Sequence, residues 1–331
     1  MSTRLLAVIL FVLACLPAFA QQEPSATSSP LENTAPGMAT ESATKDGPAL
    51  DLTPAPDGKL SQQQMQDLFR IVADKDMENN KRERDYTYTE REVQTNLDGK
   101  GRTKSKEVKT YDILEVAGEQ VQRLIAKDDK PLSAKEAAKE DEKIQKIIDK
   151  RKNETDEDRR KHEQKAEKER EDGRKFVKEI ADAYNFKLVG TELVGGREAW
   201  VFDGEPRPGF EPHMKESKFL SKFHGRVWID KSDLQLSKLD VEALDTVSVG
   251  LVIARIHKGT RFILEQTRVN DEVWLPKQVN YKVDARIALL KGFNVDGEQD
   301  YRDYKKFTTS SKIIGMSEVH DQPSAPESGK Q

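Results

Sequence analysis

Residues Gly259 to Phe307 read GTRFILEQTRVNDEVWLPKQVNYKVDARIALLKGFNVDGEQDYRDYKKF. The spacing predicts three strands in a row, turning at Asn270-Asp271 and again near Gly292-Phe293. Val279, Tyr281 and Val283 alternate with Asn280, Lys282 and Asp284. A period of two marks a strand with one covered face. No catalytic motif lies in the stretch, so it speaks for a fold and not for a reaction.

The upstream chain carries the same signals. Tyr86 and Tyr88 share one face of a strand from Asp85 to Thr95, and Asp98-Gly99 is a strong turn. Thr103 to Val116, with Tyr111 and Ile113, is the next strand, and Gly118-Glu119 turns the chain into Val121 to Ala126. Asp128-Asp129-Lys130-Pro131 then breaks this meander. Further on, Phe186 to Val194 and Glu198 to Phe202 form a hairpin about Gly195-Gly196. Glu205 to Pro212, with Pro206, Pro208 and Pro212, reads as a rigid loop, and Lys215 to Phe223 as a short helix. Arg226 to Asp230 and Leu234 to Ala243 form another hairpin, turning at Lys231-Ser232-Asp233. Leu234 and Leu236 lie on one parity and Leu239, Val241 and Ala243 on the other, which places a β-bulge near Ser237-Lys238. Val247 to Ile256 is apolar and fits either a strand or a short helix dipping into the sheet.

Helical signals sit at two places. Ser61 is an N-cap with Gln64 as its capping-box partner, and Met65, Leu68, Phe69 and Val72 make one apolar stripe in a helix from Gln62 to Asn79. Ser133 caps a second helix, ending near Asn153, whose thin stripe includes Ile144, Ile147 and Ile148. Thr155 with Asp158 caps a third. From Asp156 to Asp172 its only apolar side chain is Ala166, and the stripe returns as Phe176, Val177, Ile180, Ala181 and Tyr184. A helix polar all round is held by local charge pairs worth about 0.2–0.5 kcal/mol each, not by burial. The segment 133–184 is therefore expected to be a charged, coiled-coil-like hairpin docked at its two ends, its tip in solvent. That tip is a solvated face or an arm for a partner.

The ends of the chain are not core material. Residues 1–20 have the order of a secretory signal: Arg4, the apolar run Leu5 to Leu13, and Ala18-Phe19-Ala20 as a cleavage site. Cys15, the one cysteine, follows Val12-Leu13-Ala14 in a weak lipobox, so lipid anchoring stands as an alternative to ordinary cleavage. Ordinary cleavage leaves a mature chain with no cysteine and hence no disulfide. Residues 21–58, rich in Pro, Ser, Thr, Ala and Glu, read as a disordered linker, and 316–331 as a disordered tail. A single domain over 59–315, interrupted by the hairpin 133–184, remains. No later apolar run reaches membrane-spanning length, so no transmembrane segment is expected in the mature chain. Of the 331 residues, 35% are hydrophobic and 34% charged, and the net charge of −4 with both signs intermixed gives no nucleic-acid footprint.

The search for chemistry returns no catalytic, cofactor-binding or metal-ligating residue. His162, His213, His224, His257 and His320 are dispersed, with no paired metal spacing. A nucleophile elbow, a Walker lysine loop and a dinucleotide glycine turn are all absent. His224, beside Phe223 and Gly225 at a strand start, reads as structural. Trp200, Trp228 and Trp274 each fall in a predicted strand, where tryptophan is core. In a curved sheet, core and ligand pocket can be one surface.

Several of these features together resemble the periplasmic lipoprotein-carrier superfamily, LolA/LolB-like and including RseB-type domains. They are the secretory signal, the amphipathic first helix, the strand Tyr86-Thr-Tyr-Thr-Glu90, and Gly225-Arg-Val-Trp-Ile-Asp230 before Leu234-Gln-Leu-Ser-Lys-Leu239. Val273-Trp-Leu-Pro276 and Tyr301-Arg-Asp-Tyr-Lys-Lys-Phe307 complete the layout. The likeness spans Leu60 to Ile314, and the charged hairpin departs from the compact carriers. It implies an α+β fold: a curved antiparallel half-barrel of about ten strands with helices on the concave side. It also implies a periplasmic, non-enzymatic protein that shelters a lipid or lipoprotein acyl chain, without a cofactor. An envelope scaffold or sensor that binds a protein partner through the charged hairpin is the second reading, and a hydrolase with an unrecognised site the third.

Overall fold

The computed structural model describes residues 50–116, 119–249, 254–287 and 291–307. The expectations for residues 1–20 with Cys15, for the Gly118 turn and for the tail 316–331 lie outside them. In chain order the elements are α1 (Gln62–Glu83), β1 (Tyr86–Leu97), β2 (Thr103–Val116), β3 (Glu119–Lys127), β4 (Lys130–Pro131), α2 (Ala134–Lys152) and α3 (Asp156–Ala183). There follow β5 (Tyr184–Val194), β6 (Arg197–Pro206), a 3-10 segment (Lys215–Lys222), β7 (Phe223–Asp230), β8 (Leu236–Ala243), β9 (Val247–Val249) and β10 (Ala254–Ile256). The closing run is β11 (Arg261–Val269), β12 (Val273–Ile287) and β13 (Lys291–Lys306).

All thirteen strands belong to one antiparallel sheet, ordered β4-β3-β2-β1-β13-β12-β11-β8-β7-β6-β5, with β10 on β12 and β9 on β10. The surplus over ten strands is β4, β9 and β10, which are only two or three residues long. The sheet does not close into a barrel. Bulges at Thr87–Thr89, Leu188–Gly190 and Trp228–Ile229 bend its strands. The third is the one foreseen from side-chain parity: Trp228 pairs with Lys238 and Ile229 with Leu236, leaving Ser237 over. Its hydroxyl donates to the Trp228 carbonyl at 3.1 Å.

Several local readings are corrected. Asp128 and Asp129 take left-handed backbone, φ 50° and 57°, and join β3 to β4 in a tight hairpin instead of breaking the meander. Gly292 and Phe293 lie inside β13, paired with Arg286 and Ala285. Of the open choice over 247–256, the described ends Val247–Val249 and Ala254–Ile256 are strands. Ala254 pairs with Ile287 across β12, so a partner far along the chain decides its state. The expected short helix is a 3-10 segment, and Phe223 already belongs to β7.

Helix starts are where the caps place them. Ser61 with Gln64 and Ser133 with Glu136 form complete capping boxes, and Thr155 accepts from the Asp158 N–H. α1 and α3 pack antiparallel over one face of the sheet. Gln62 bonds to the Ala181 carbonyl near one end, and Arg174 pairs with Asp74 further along. Asn79 pins α1 to β12 through both its amide groups, each 2.7 Å from the Trp274 backbone. α2 lies elsewhere: Ile144, with Ile147 and Ile148, packs on Leu114, Val116 and Val121 of β2 and β3. These strand residues alternate with Tyr111 and Ile113, so α2 sits on the face opposite to α1 and α3. The two helices of 133–184 thus differ from a projecting pair. The charged residues 155–165 are exposed as expected, while the following turns of α3 run beside the end of α1.

Candidate ligand cavity

The face under α1 and α3 is built from cross-strand rows. One runs Leu188, Phe202, Val227, Leu239, Leu264, Val279, Gln299, Glu92, Lys109 from β5 across to β2. Its neighbour runs Phe186, Gly204, Gly225, Val241, Phe262, Tyr281, Gly297, Gln94, Glu107. In these two rows the inward positions are apolar from β5 to β12 and mostly polar beyond it, while Val295 of β13 and Ile113 of β2, on the same face, are buried and apolar.

Two glycines stand side by side in the second row, where Val241 and Phe186 pack closely over them. A Cβ on Gly225 would meet Val241 Cγ1 at 2.7 Å and the Asp240 carbonyl oxygen at 2.8 Å, and one on Gly204 would meet the Phe186 ring at 2.9 Å. Above this floor α1 contributes Phe69 and Val72, and α3 contributes Phe176 and Val177. Between helices and floor lies a cavity of about 130 Å³, closed at one side by Phe219 and Leu220 of the 3-10 segment. Its lining is almost wholly apolar; Asp76, Gln235, Thr260 and Arg261 are the polar exceptions.

The loop that carries Phe219 is latched to α3. The buried Glu179 carboxylate accepts the His213 N–H and the Ser217 hydroxyl, both at 2.5 Å. Tyr184 donates to the Leu220 carbonyl at 2.8 Å, and burial, with Glu205 nearby, pushes its phenol above the usual range.

The polar end of the rows differs in kind. Tyr281 lies across the bare Cα of Gly297 and donates to Glu92 at 3.3 Å. Tyr301 donates to Gln299 at 3.0 Å and pairs in register with Glu90, whose other neighbour is Tyr111. Burial, then Glu92, Glu90, Glu140 and Glu107, push the Tyr111 phenol up to about 12.

None of the three tryptophans lines the cavity. Trp228 and Trp274 are buried, and their indole N–H groups donate to Glu192 and Asp233 at 2.8 Å. Trp200 packs at the margin of the main cluster. His224 is part of β7 with its ring 3.7 Å from Glu205, and His213 is exposed. Among the described residues no group of three or more His, Cys, Asp or Glu is placed to hold a metal, and no helix is long and apolar enough to cross a membrane. What the sequence reading missed is the glycine pair. A glycine inside a strand signals close approach of a neighbour, and Gly204 and Gly225 carried that signal.

No protein-family model and no curated protein matches the chain. Among solved structures it is similar to a domain from Vibrio parahaemolyticus assigned to outer membrane lipoprotein sorting, at 12% identity over 72% of this chain and 94% of that one, TM-score 0.30. It is similar to a LolA superfamily protein from Nitrosomonas europaea, at 7% identity over 75% and 94%, TM-score 0.24. It is also similar to the Pseudomonas aeruginosa MucA/MucB complex, at 10% identity over 72% and 94%, TM-score 0.20.

Proposed function

We propose that the chain is a periplasmic binding protein, not an enzyme, that shelters the apolar chain of a lipid or lipoprotein. The apolar cavity between α1, α3 and the sheet is the observation that carries this reading. Its size sets what it holds. A cavity of about 150 Å³ takes a benzene-sized guest, so about 130 Å³ accommodates roughly six chain carbons. At about 0.8 kcal/mol per methylene the chain end contributes about 5 kcal/mol, a sub-millimolar affinity. Ligand pockets are usually about 300–1,000 Å³. A two-chain anchor therefore enters whole only if α1 and α3 part from the sheet. Native mass spectrometry after periplasmic expression tests the reading: an adduct of lipid mass is expected. A chain that is always bare and that takes up no octyl glucoside opposes it.

A second reading, an envelope scaffold that holds a protein partner, is favoured by the exposure of residues 155–165. Deleting 156–172 is too blunt a test, because Gly173 and the turn before it pack beside α1. Reversing the exposed Lys161 and Lys165 to Glu leaves the core intact. Under the scaffold reading it abolishes capture of the partner; under the first it changes neither stability nor ligand content.

A further inference from the structure

Three of the four polar residues that line the cavity have partners in the fold. Asp76 accepts from the Asn80 side-chain amide at 3.3 Å. The Thr260 hydroxyl lies 3.3 Å from the Asp284 carbonyl oxygen and 3.2 Å from its nitrogen. Arg261 donates to both carboxylate oxygens of Asp240, at 2.8 and 2.5 Å. Gln235 differs. It is 6% exposed, and among the described residues nothing donates to its side-chain amide or accepts from it. Only its backbone is tied down, the carbonyl accepting from the Asp230 N–H at 2.8 Å. The side chain is thus a buried amide, with its donors and its acceptor unused, in the wall of an apolar cavity. A buried polar group without a partner is costly and rare in folded proteins.

The lining follows β7 from Phe223 and Gly225 through Val227 to Ile229. Ile229 pairs with Leu236, the residue after Gln235, so the amide stands at the Ile229 end. Carbon walls penalise a charged group there far more than a neutral one.

We infer that the guest of this cavity carries a neutral oxygen group, a hydroxyl or an ester or amide carbonyl, hydrogen-bonded to the Gln235 amide. Its apolar chain runs from there along β7, beneath α1 and α3. The inference rests on the cavity reading above and adds the group that the guest must carry and the residue that meets it.

Hexanol, methyl pentanoate and fluorohexane are similar in length, and the last has no hydroxyl or carbonyl. Each is titrated into the full chain, into Gln235→Met and into Gln235→Leu, and binding is followed by methyl NMR. Both variants are expected to lower the affinity of an oxygen-bearing probe relative to fluorohexane by about fivefold. Loss for hexanol alone assigns a hydroxyl and loss for the ester alone a carbonyl; either supports the inference. The variants also remove an unpaired buried amide, so the urea midpoint of the free chain should not fall. Relative affinities that are unchanged in both variants overturn the inference and leave the cavity reading standing. Failure of all three probes to bind the wild type overturns both. A lowered midpoint in both variants also overturns the inference, because the amide then serves the fold and not a guest.

Discussion

Gly225, in the cavity floor, lets β7 and β8 pack closely. An added methyl would strike the Asp240 carbonyl oxygen at 2.8 Å, a backbone atom that cannot swing aside. Gly225→Ala is therefore expected to cost about 1–3 kcal/mol, read as a lower urea midpoint at unchanged m. On the other face Asp230, 1% exposed, accepts both Arg197 nitrogens at 2.7 and 2.9 Å and the Ser232 and Asp233 amides. Burial pushes its carboxyl up, but Arg197 and those amides outweigh burial and hold it below its ordinary value. A carboxyl lowered on folding adds stability above about pH 4 that is lost as pH falls through the folded value. Asp230→Asn should cost about 3 kcal/mol near neutrality. It should also flatten the loss of stability below about pH 4, as seen in melts across pH. Neither role was legible in the sequence, since both depend on which strand lies alongside. Ser61, Ser133 and Thr155 were legible, because a cap bonds within its own first turn.

At the scale of elements, local signals were again the readable ones. The parity slip at Ser237 located a bulge because alternation is a property of one strand. The state of Val247 to Ile256 was open, since only pairing with β12 decides it. The position of α2 could not be foreseen either: its thin stripe says that one face is covered, not by which face of the sheet. Ile144 is 1% exposed there, and Ile144→Ala should cost about 3 kcal/mol, measured by denaturant titration. The start of α2 depends on acid. Lys127, then Ser133, hold the Glu136 carboxyl down at about 2. That support is complete above the ordinary carboxylate range and is lost as pH falls toward 2. Fraying of residues 134–137 below about pH 4 is expected by amide exchange, and Glu136→Ala, which removes the capping-box partner, should show it at pH 7.

On the scale of the molecule, the run Gly259 to Phe307 marks where the inner face changes. Phe262, Leu264 and Val279 end the apolar half, and Gln299 with Glu92 begins the polar half. The alternation of Val279, Tyr281 and Val283 was visible in the sequence. Whether their face was core or cavity was not, because the answer lies with α1, α3 and two glycines on distant strands. The structure gives both: a core for most of its length and a small void over Gly204 and Gly225. Octyl glucoside titrated into the wild-type chain and into Val227→Phe and Val247→Phe, whose added rings occupy the void, measures this directly. Sub-millimolar binding by the wild type, weakened about tenfold or more in both variants at unchanged melting temperature, is the expected result. Binding of equal strength in all three chains, or none in the wild type, would contradict it.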